Sequence, residues 1–289
     1  MSRVSSVRSV IAGALIVVLL AACSAKKDTY VERPVDQLYN KAMTLLDQHD
    51  FDNASKAFDE VDQQHPNSPW ATKAQLMGAY SLYQGQKQDE AVVALDRFIQ
   101  LHPAYKDTPY AYYLKALCYY EQIADVQRDQ KITQQALSAL QEVVTRFPNS
   151  KYARDARFKI DLTRDQLAGK ELTIGRFYQS QHQYLAAINR YRTVVEKYQT
   201  TSQIPEALHR LTECYLALGL PDEAKKTAAV LGYNYPGSDW YQDSYDMVKS
   251  DHPATMAADK TEQPAAAAEP GKAPPPDDSG WFGWVPWPF

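Results

Sequence analysis

Ala91-Val92-Val93-Ala94-Leu95-Asp96-Arg97-Phe98-Ile99-Gln100-Leu101-His102-Pro103 reads as an amphipathic helix that stops at a proline. Ala91, Leu95 and Phe98 stand at offsets of zero, four and seven, one face of a helix. The residue before a proline is pushed out of the helical region, so the helix ends at His102. The arrangement recurs. Alanine stands at Ala54, Ala136, Ala187 and Ala224, followed four residues on by Phe58, Leu140, Tyr191 and Ala228, and seven on by Val61, Val143, Val194 and Leu231. Eleven residues after each alanine begin the turns His65-Pro66, Phe147-Pro148, Tyr198-Gln199 and Tyr235-Pro236, and the alanines are 37, 45, 51 and 37 residues apart.

Working outward from each alanine, the residue twelve places back is Ala42, Ala79, Gly175 or Thr212, and nine places back come Leu45, Leu82, Tyr178 and Tyr215. The third unit joins the register through Ala116 and Tyr119 if eight residues are inserted between its two helices. Each unit is therefore a helix hairpin whose period is close to the 34-residue tetratricopeptide (TPR) repeat. The fold class that follows is all-α, an α-solenoid of five TPR helix hairpins. A hairpin of this size cannot bury its own apolar face, so stacking on its neighbours supplies the core, and function falls to the groove and the ends. The alanine and aromatic stripes are read as core.

Two departures from the period carry information. The extra residues of the third unit fall within 121–135, a polar stretch with Asp125, Arg128, Asp129 and Lys131, expected as a long exposed loop. The extra residues before the fourth unit, 152–167, keep helical periodicity and are expected as a lengthened or additional helix with a break near Gly169. The repeats thus divide into 35–150 (units one to three) and 151–250 (units four and five with the lengthened connection). Residues 251–280 are rich in Ala and Pro with no apolar period, which is linker composition. Residues 281–289 hold Trp281, Trp284, Trp287 and the terminal Phe289. Indole offers large apolar area with a polar edge, so this tail is expected to dock on a protein groove or membrane interface.

At the other end, residues 1–22 place Arg3 and Arg8 before an apolar run from 10 to 20 and the small pair Ala21-Ala22. That run is too short to span a bilayer, which takes about 20 residues, and has the order of a signal peptide. Leu20-Ala21-Ala22-Cys23 resembles a bacterial lipobox, which implies acylation of Cys23, a lipidated tether over 23–34, and, with Ser24 next, the periplasmic face of the outer membrane. Several acyl chains make such an anchor durable. The chain carries a net charge of −4, and loss of Arg3 and Arg8 makes the mature protein more acidic, which argues against nucleic acid as partner. Cys118 and Cys214 sit in apolar patterns two repeats apart, beyond disulfide reach, and read as buried small hydrophobes.

No catalytic triad, phosphate loop or metal-ligand spacing appears, so neither enzyme activity, cofactor nor metal is expected. His65 and His102 recur at the turn before the repeat proline as structural punctuation; His49, His182, His209 and His252 are scattered.

Between Asp36 and Lys249 the segments Ala94 to Ile99 with Leu101-His102-Pro103, Tyr110 to Leu117, and Arg146-Phe147-Pro148-Asn149-Ser150 resemble the BamD family of TPR lipoproteins, part of the outer-membrane β-barrel assembly (BAM) machinery. The resemblance implies a non-catalytic scaffold binding unfolded outer-membrane proteins and the periplasmic domain of a BamA-like β-barrel subunit, beside other BAM lipoproteins. It assigns Tyr83, Arg97, Tyr110, Tyr112 and Tyr113 to a substrate groove, and Asn189 and Arg190 to the BamA-like partner. The aromatic tail departs from that family's pattern; Phe289 is suited to the chain's own groove or to another site on the machine. Two other readings stay open: another TPR lipoprotein of the cell envelope, such as a pilotin or a peptidoglycan or division coordinator, and a lipid-anchored enzyme.

Overall fold

A computed structural model describes residues 33–250; the lipidation expected at Cys23 and the docking expected of Trp281, Trp284, Trp287 and Phe289 lie outside them. Helices pack pairwise in chain order: α1 (Val35–Asp47) with α2 (Phe51–Gln64), α3 (Pro69–Gln84) with α4 (Gln88–Leu101), α5 (Thr108–Tyr120) with α6 (Lys131–Arg146), α7 (Lys151–Ser180) with α8 (Tyr184–Lys197), and α9 (Ile204–Ala217) with α10 (Pro221–Asn234). The last helix, α11 (Asp239–Lys249), closes the end against α9 and α10.

Local chemistry sets the boundaries. Pro69, Pro109, Pro205 and Pro221 occupy the first turn of α3, α5, α9 and α10, where a missing N–H costs nothing. The Oγ atoms of Ser68 and Ser150 accept from the N–H of Trp70 (3.2 Å) and Ala153 (3.1 Å), capping α3 and α7. Each second helix ends at the expected turn, on His65, His102, Phe147, Tyr198 or Tyr235. Within four of the hairpins the residue five before the repeat alanine is left-handed: His49 (φ 61°), Gln86 (60°), His182 (57°) and Gly219 (72°). The N–H of the next residue donates back to the carbonyl of Leu45, Leu82, Tyr178 or Tyr215, each at 2.9 Å, which closes the helix end.

All five repeat alanines are buried. Phe58, Leu95, Leu140 and Tyr191 are fully buried over their partner first helices, each worth about 2 kcal/mol of transfer free energy. The core forms in steps, one cluster across α1 to α3, one across α3 to α5, one across α5 to α7, and one from α7 to α11. The thiols of Cys118 and Cys214 are free and buried, and burial pushes both up to about 12.

Two expectations need correction. The break near Gly169 does not occur: α7 runs as one helix of 30 residues from Lys151 to Ser180. The insertion explains its integrity. A β-carbon at Gly169 would lie 3.5 Å from Val126 Cγ1, so the loop covers that point, and Gln166 Nε2 and Lys170 Nζ donate to the carbonyls of Ala124 and Gln127, both at 2.9 Å. The insertion is also shorter than expected, because α6 already begins at Lys131, although Asp125, Arg128, Asp129 and Lys131 are exposed as expected. Gln130, buried, donates to the carbonyls of Asp125, Val126 and Arg128 and accepts from Thr133 Oγ1, tying the loop into a knot against α7.

Successive first helices α1, α3, α5 and α7 touch one another, while successive second helices among the described residues make no comparable contact. The ribbon therefore bends with its first helices inside.

Candidate functional site

The inner layer carries a band of tyrosines. Tyr80 and Tyr83 are one turn apart on α3, Tyr110 and Tyr113 one turn apart on α5, and Tyr152 stands in the first turn of α7. The Tyr152 ring lies 5.5 Å from that of Tyr110 and stacks on Tyr113 at 5.3 Å and 27°; Tyr80 and Tyr83 are 6.4 Å apart. Every one of them is partly buried, leaving ring surface at the groove.

Two carboxylates accept from the band, Glu121 exposed and Asp155 half-buried. Tyr83 donates its hydroxyl to Glu121 Oε1, and Tyr113 donates to Asp155 Oδ2. Lys159 Nζ pairs with Asp155 at 3.2 Å and lies over the Tyr120 ring at 5.1 Å. Burial is the main cause raising the Tyr83, Tyr110 and Tyr113 phenols, and it brings Tyr152 up to about 12. Burial also raises Glu121, against the opposing pull of the Tyr83 hydrogen bond and Lys159. Tyr83 and Tyr113 are thus neutral donors already committed to the protein's own carboxylates, and what the band offers a ligand is aromatic face and acceptor oxygen.

Of the five residues assigned to the groove from the sequence, the structure gathers Tyr83, Tyr110 and Tyr113. Tyr112 points the other way, because residues two apart on a helix are about 200° apart. Its ring packs on Phe147 at 5.3 Å under the Arg146 guanidinium, also at 5.3 Å. Arg97 belongs to the outer helix α4 and reaches Asp62 of α2 at 3.7 Å with its side chain 70% exposed. Sequence reasoning missed Tyr80, Tyr152, Glu121 and Asp155; the Tyr80/Tyr83 spacing, which repeats that of Tyr110/Tyr113, was the available signal.

Asn189 and Arg190 lie on the outer helix α8. Asn189 is exposed, one turn beyond Leu185, which is 69% exposed, and Arg190 Nη1 reaches back to Glu171 Oε2 of α7 at 3.1 Å. A polar network lies between α7, α9 and α11. Buried His209 meets Ser244 Oγ at 2.9 Å through Nδ1 and Glu213 at 3.4 Å through Nε2. Glu213 also accepts from Arg210 and from Gln179, both at 2.9 Å, and Arg210 lies over the Trp240 ring at 5.5 Å. Burial alone would raise the Glu213 carboxyl, but the hydrogen bond from His209, the Arg210 charge and the Gln179 bond outweigh it and hold the carboxyl at about 2. This network joins helices rather than opening to a cavity, and His209 is a structural residue the sequence left unplaced.

A model of the outer membrane lipoprotein family YfiO matches residues 31–231. The chain is similar to the outer membrane protein assembly factor BamD of Caulobacter vibrioides, 51% identical over 242 residues that cover 82% of this chain and 79% of that protein. It is also similar to the outer membrane protein assembly factor BamD of Rickettsia prowazekii, 48% identical over 233 residues, covering 80% and 93%. Among solved structures, a thermophilic TPR protein of Thermus thermophilus is similar over 75% of this chain and 98% of that one, at 18% identity and a TM-score of 0.34.

Proposed function

Since the chain belongs to the outer membrane lipoprotein family YfiO, with the BamD assembly factors, we propose that it works as an outer-membrane protein assembly factor that acts by binding alone, with distinct surfaces for substrate and partner. The substrate surface is the tyrosine band of the inner layer, which receives extended, aromatic-bearing segments of unfolded outer-membrane proteins. The partner surface is the outer face of α8 with Leu185, Asn189 and Arg190, which receives the periplasmic domain of a BamA-like subunit. Acylation of Cys23 holds the chain at the periplasmic face of the outer membrane beside the other BAM lipoproteins, and the tail at Trp281, Trp284, Trp287 and Phe289 docks within that assembly.

The observation that carries the substrate reading is the pairing of Tyr83 with Glu121 and Tyr113 with Asp155. Those bonds fix the rings at the groove wall so that apolar segments meet rigid aromatic surface at low entropic cost. A photo-crosslinking amino acid placed at Tyr110 or Tyr80 of the full mature protein tests it. An unfolded barrel segment should crosslink there and not at Arg97; equal labelling at Arg97 would remove the groove assignment. Charge reversal at Arg190 should reduce co-purification of the β-barrel subunit from solubilised envelopes, and undiminished recovery would remove the partner assignment.

A further inference from the structure

Because the helices alternate in direction, the links between hairpins at 65–68, 102–107 and 147–150 lie along one edge of the ribbon, and the turns within hairpins lie along the other. The two edges differ in charge. The first holds Lys106 just before α5 and Arg146, Lys151, Arg154 and Arg157 round the third link, all exposed. Arg157 Nη2 donates to the carbonyl of Pro148 at 3.1 Å, which brings its guanidinium over that link. Lys106 Nζ lies 3.8 Å from Asp107 Oδ2, and the charges of Lys73 and Lys151 also act on that carboxyl, which burial nonetheless raises. Acids on this edge are fewer: Asp36 is exposed in the first turn of α1, but the Asp107 side chain is only 12% exposed and Asp155 is engaged by Tyr113 and Lys159.

On the opposite edge Asp47, Asp52, Asp89, Glu90, Asp125 and Asp129 are exposed, against Lys56, Lys87, Arg128 and Lys131. A chain of net charge −4 is thus polarised across its width.

The path of the N-terminal segment adds a second, independent observation. The Arg33 N–H donates to Gln64 Oε1 at 3.1 Å, and the Arg33 carbonyl meets His65 Nε2 at 2.7 Å, so the chain enters at the first link of the cationic edge. Cys23 precedes Arg33 by 10 residues, at most about 35 Å of chain. Trp70 and Leu101, exposed by 37% and 55%, stand on the same edge.

We propose that this edge is a membrane-facing surface, resting on anionic lipid headgroups through Lys106, Lys151, Arg154 and Arg157, with Trp70 and Leu101 at the interface and the acidic edge turned away. Anionic lipid attracts cations within about a Debye length of roughly 10 Å, and indole favours the headgroup level. The tether supplies a high local concentration, so a modest attraction is enough to set orientation. The inference takes its tether from the acylation of Cys23 proposed above; the edge itself does not depend on it.

Full-length mature protein in nanodiscs, with hydrogen exchange as readout, tests the orientation. The mass of the protein is measured first, because absence of acyl groups would retire the anchor reading alone. The unacylated full chain would then be compared on vesicles of the same lipids. Amides of 102–110 and 147–158 should exchange several-fold more slowly on phosphatidylglycerol-containing discs than on pure phosphatidylcholine discs, and high salt should erase the difference. Lys151→Glu/Arg154→Glu/Arg157→Glu should abolish it, Arg154→Gln/Arg157→Gln should halve it or more without burdening the fold, and Lys87→Glu should leave it intact. Equal exchange on both lipids would overturn the proposal. So would protection of the acidic edge instead, or protection of the cationic edge only when the β-barrel subunit is added.

Discussion

The Tyr191 ring fills the space that a β-carbon would take at Gly175: a carbon built there would lie 2.3 Å from Tyr191 Cε1. The two positions are those held elsewhere in the repeat by Ala42 with Phe58, Ala79 with Leu95, and Ala116 with Leu140. The fourth unit thus trades a small residue for none and a large one for a larger, and Tyr191 turns its extra hydroxyl to Gln179 Oε1 at 2.7 Å.

Gly175→Ala should therefore overpack this site and cost about 1–3 kcal/mol. Gly175→Ala/Tyr191→Leu, which restores the pairing of the second unit, should recover much of that loss. Urea titrations of the two variants check it; additive losses in the double variant would mean that the two positions are not coupled.

Three left-handed turn residues are not glycine. Gln86 and His182 should each gain about 1 kcal/mol on replacement by glycine, which adopts that backbone without a side-chain clash. Gly219→Ala should lose a similar amount. Midpoints of thermal unfolding report both signs.

The buried Glu213 carboxyl, held at about 2 against an ordinary 4.5, makes stability depend on acid. A depressed folded value means that the contribution is fully present above pH 4.5 and drains away as pH falls toward 2. The shift corresponds to about 3 kcal/mol at neutral pH. Glu213→Gln should lower stability at pH 7 and flatten the acid limb between those values, measured by denaturant titration across pH. An unchanged limb would assign the acid sensitivity to other groups.

Tyr83→Phe and Tyr113→Phe each remove a donor, from the solvent-exposed Glu121 carboxylate and from the half-buried Asp155, so the loss is larger at Asp155. Tyr113→Phe should cost about 1–2 kcal/mol and Tyr83→Phe about 1 kcal/mol or less. The rings stay in place, so crosslinking of unfolded barrel segments at Tyr110 should survive; its loss would mean that the hydroxyls themselves contact substrate.

Most of the scaffold was legible because one steric rule repeats. The alanine and the apolar residues four and seven places on occupy a single helix face, and a proline after the last turn stops most of the second helices, so periodicity alone located Ala54, Ala91, Ala136, Ala187 and Ala224 in the core. The continuity of α7 was not legible, because a glycine in mid-helix signals weakness only when nothing covers it. Val126, more than forty residues upstream, does so here. Tyr112 and Arg97 were misgrouped with Tyr110 for a related reason: neighbours in a sequence cluster diverge once a helix turns them apart, and Arg97 lies on an outer helix. The acceptors Glu121 and Asp155 lie 38 and 42 residues from the tyrosines they hold, a distance no local pattern spans.

Arrays of independent repeats usually melt from their ends and part most readily at a seam. Here α6 and α8 lie against successive stretches of one rod about 45 Å long, and that rod contributes to two neighbouring clusters. The boundary where the repeat spacing falters is therefore spliced by an unbroken beam, and separating the halves would require snapping it.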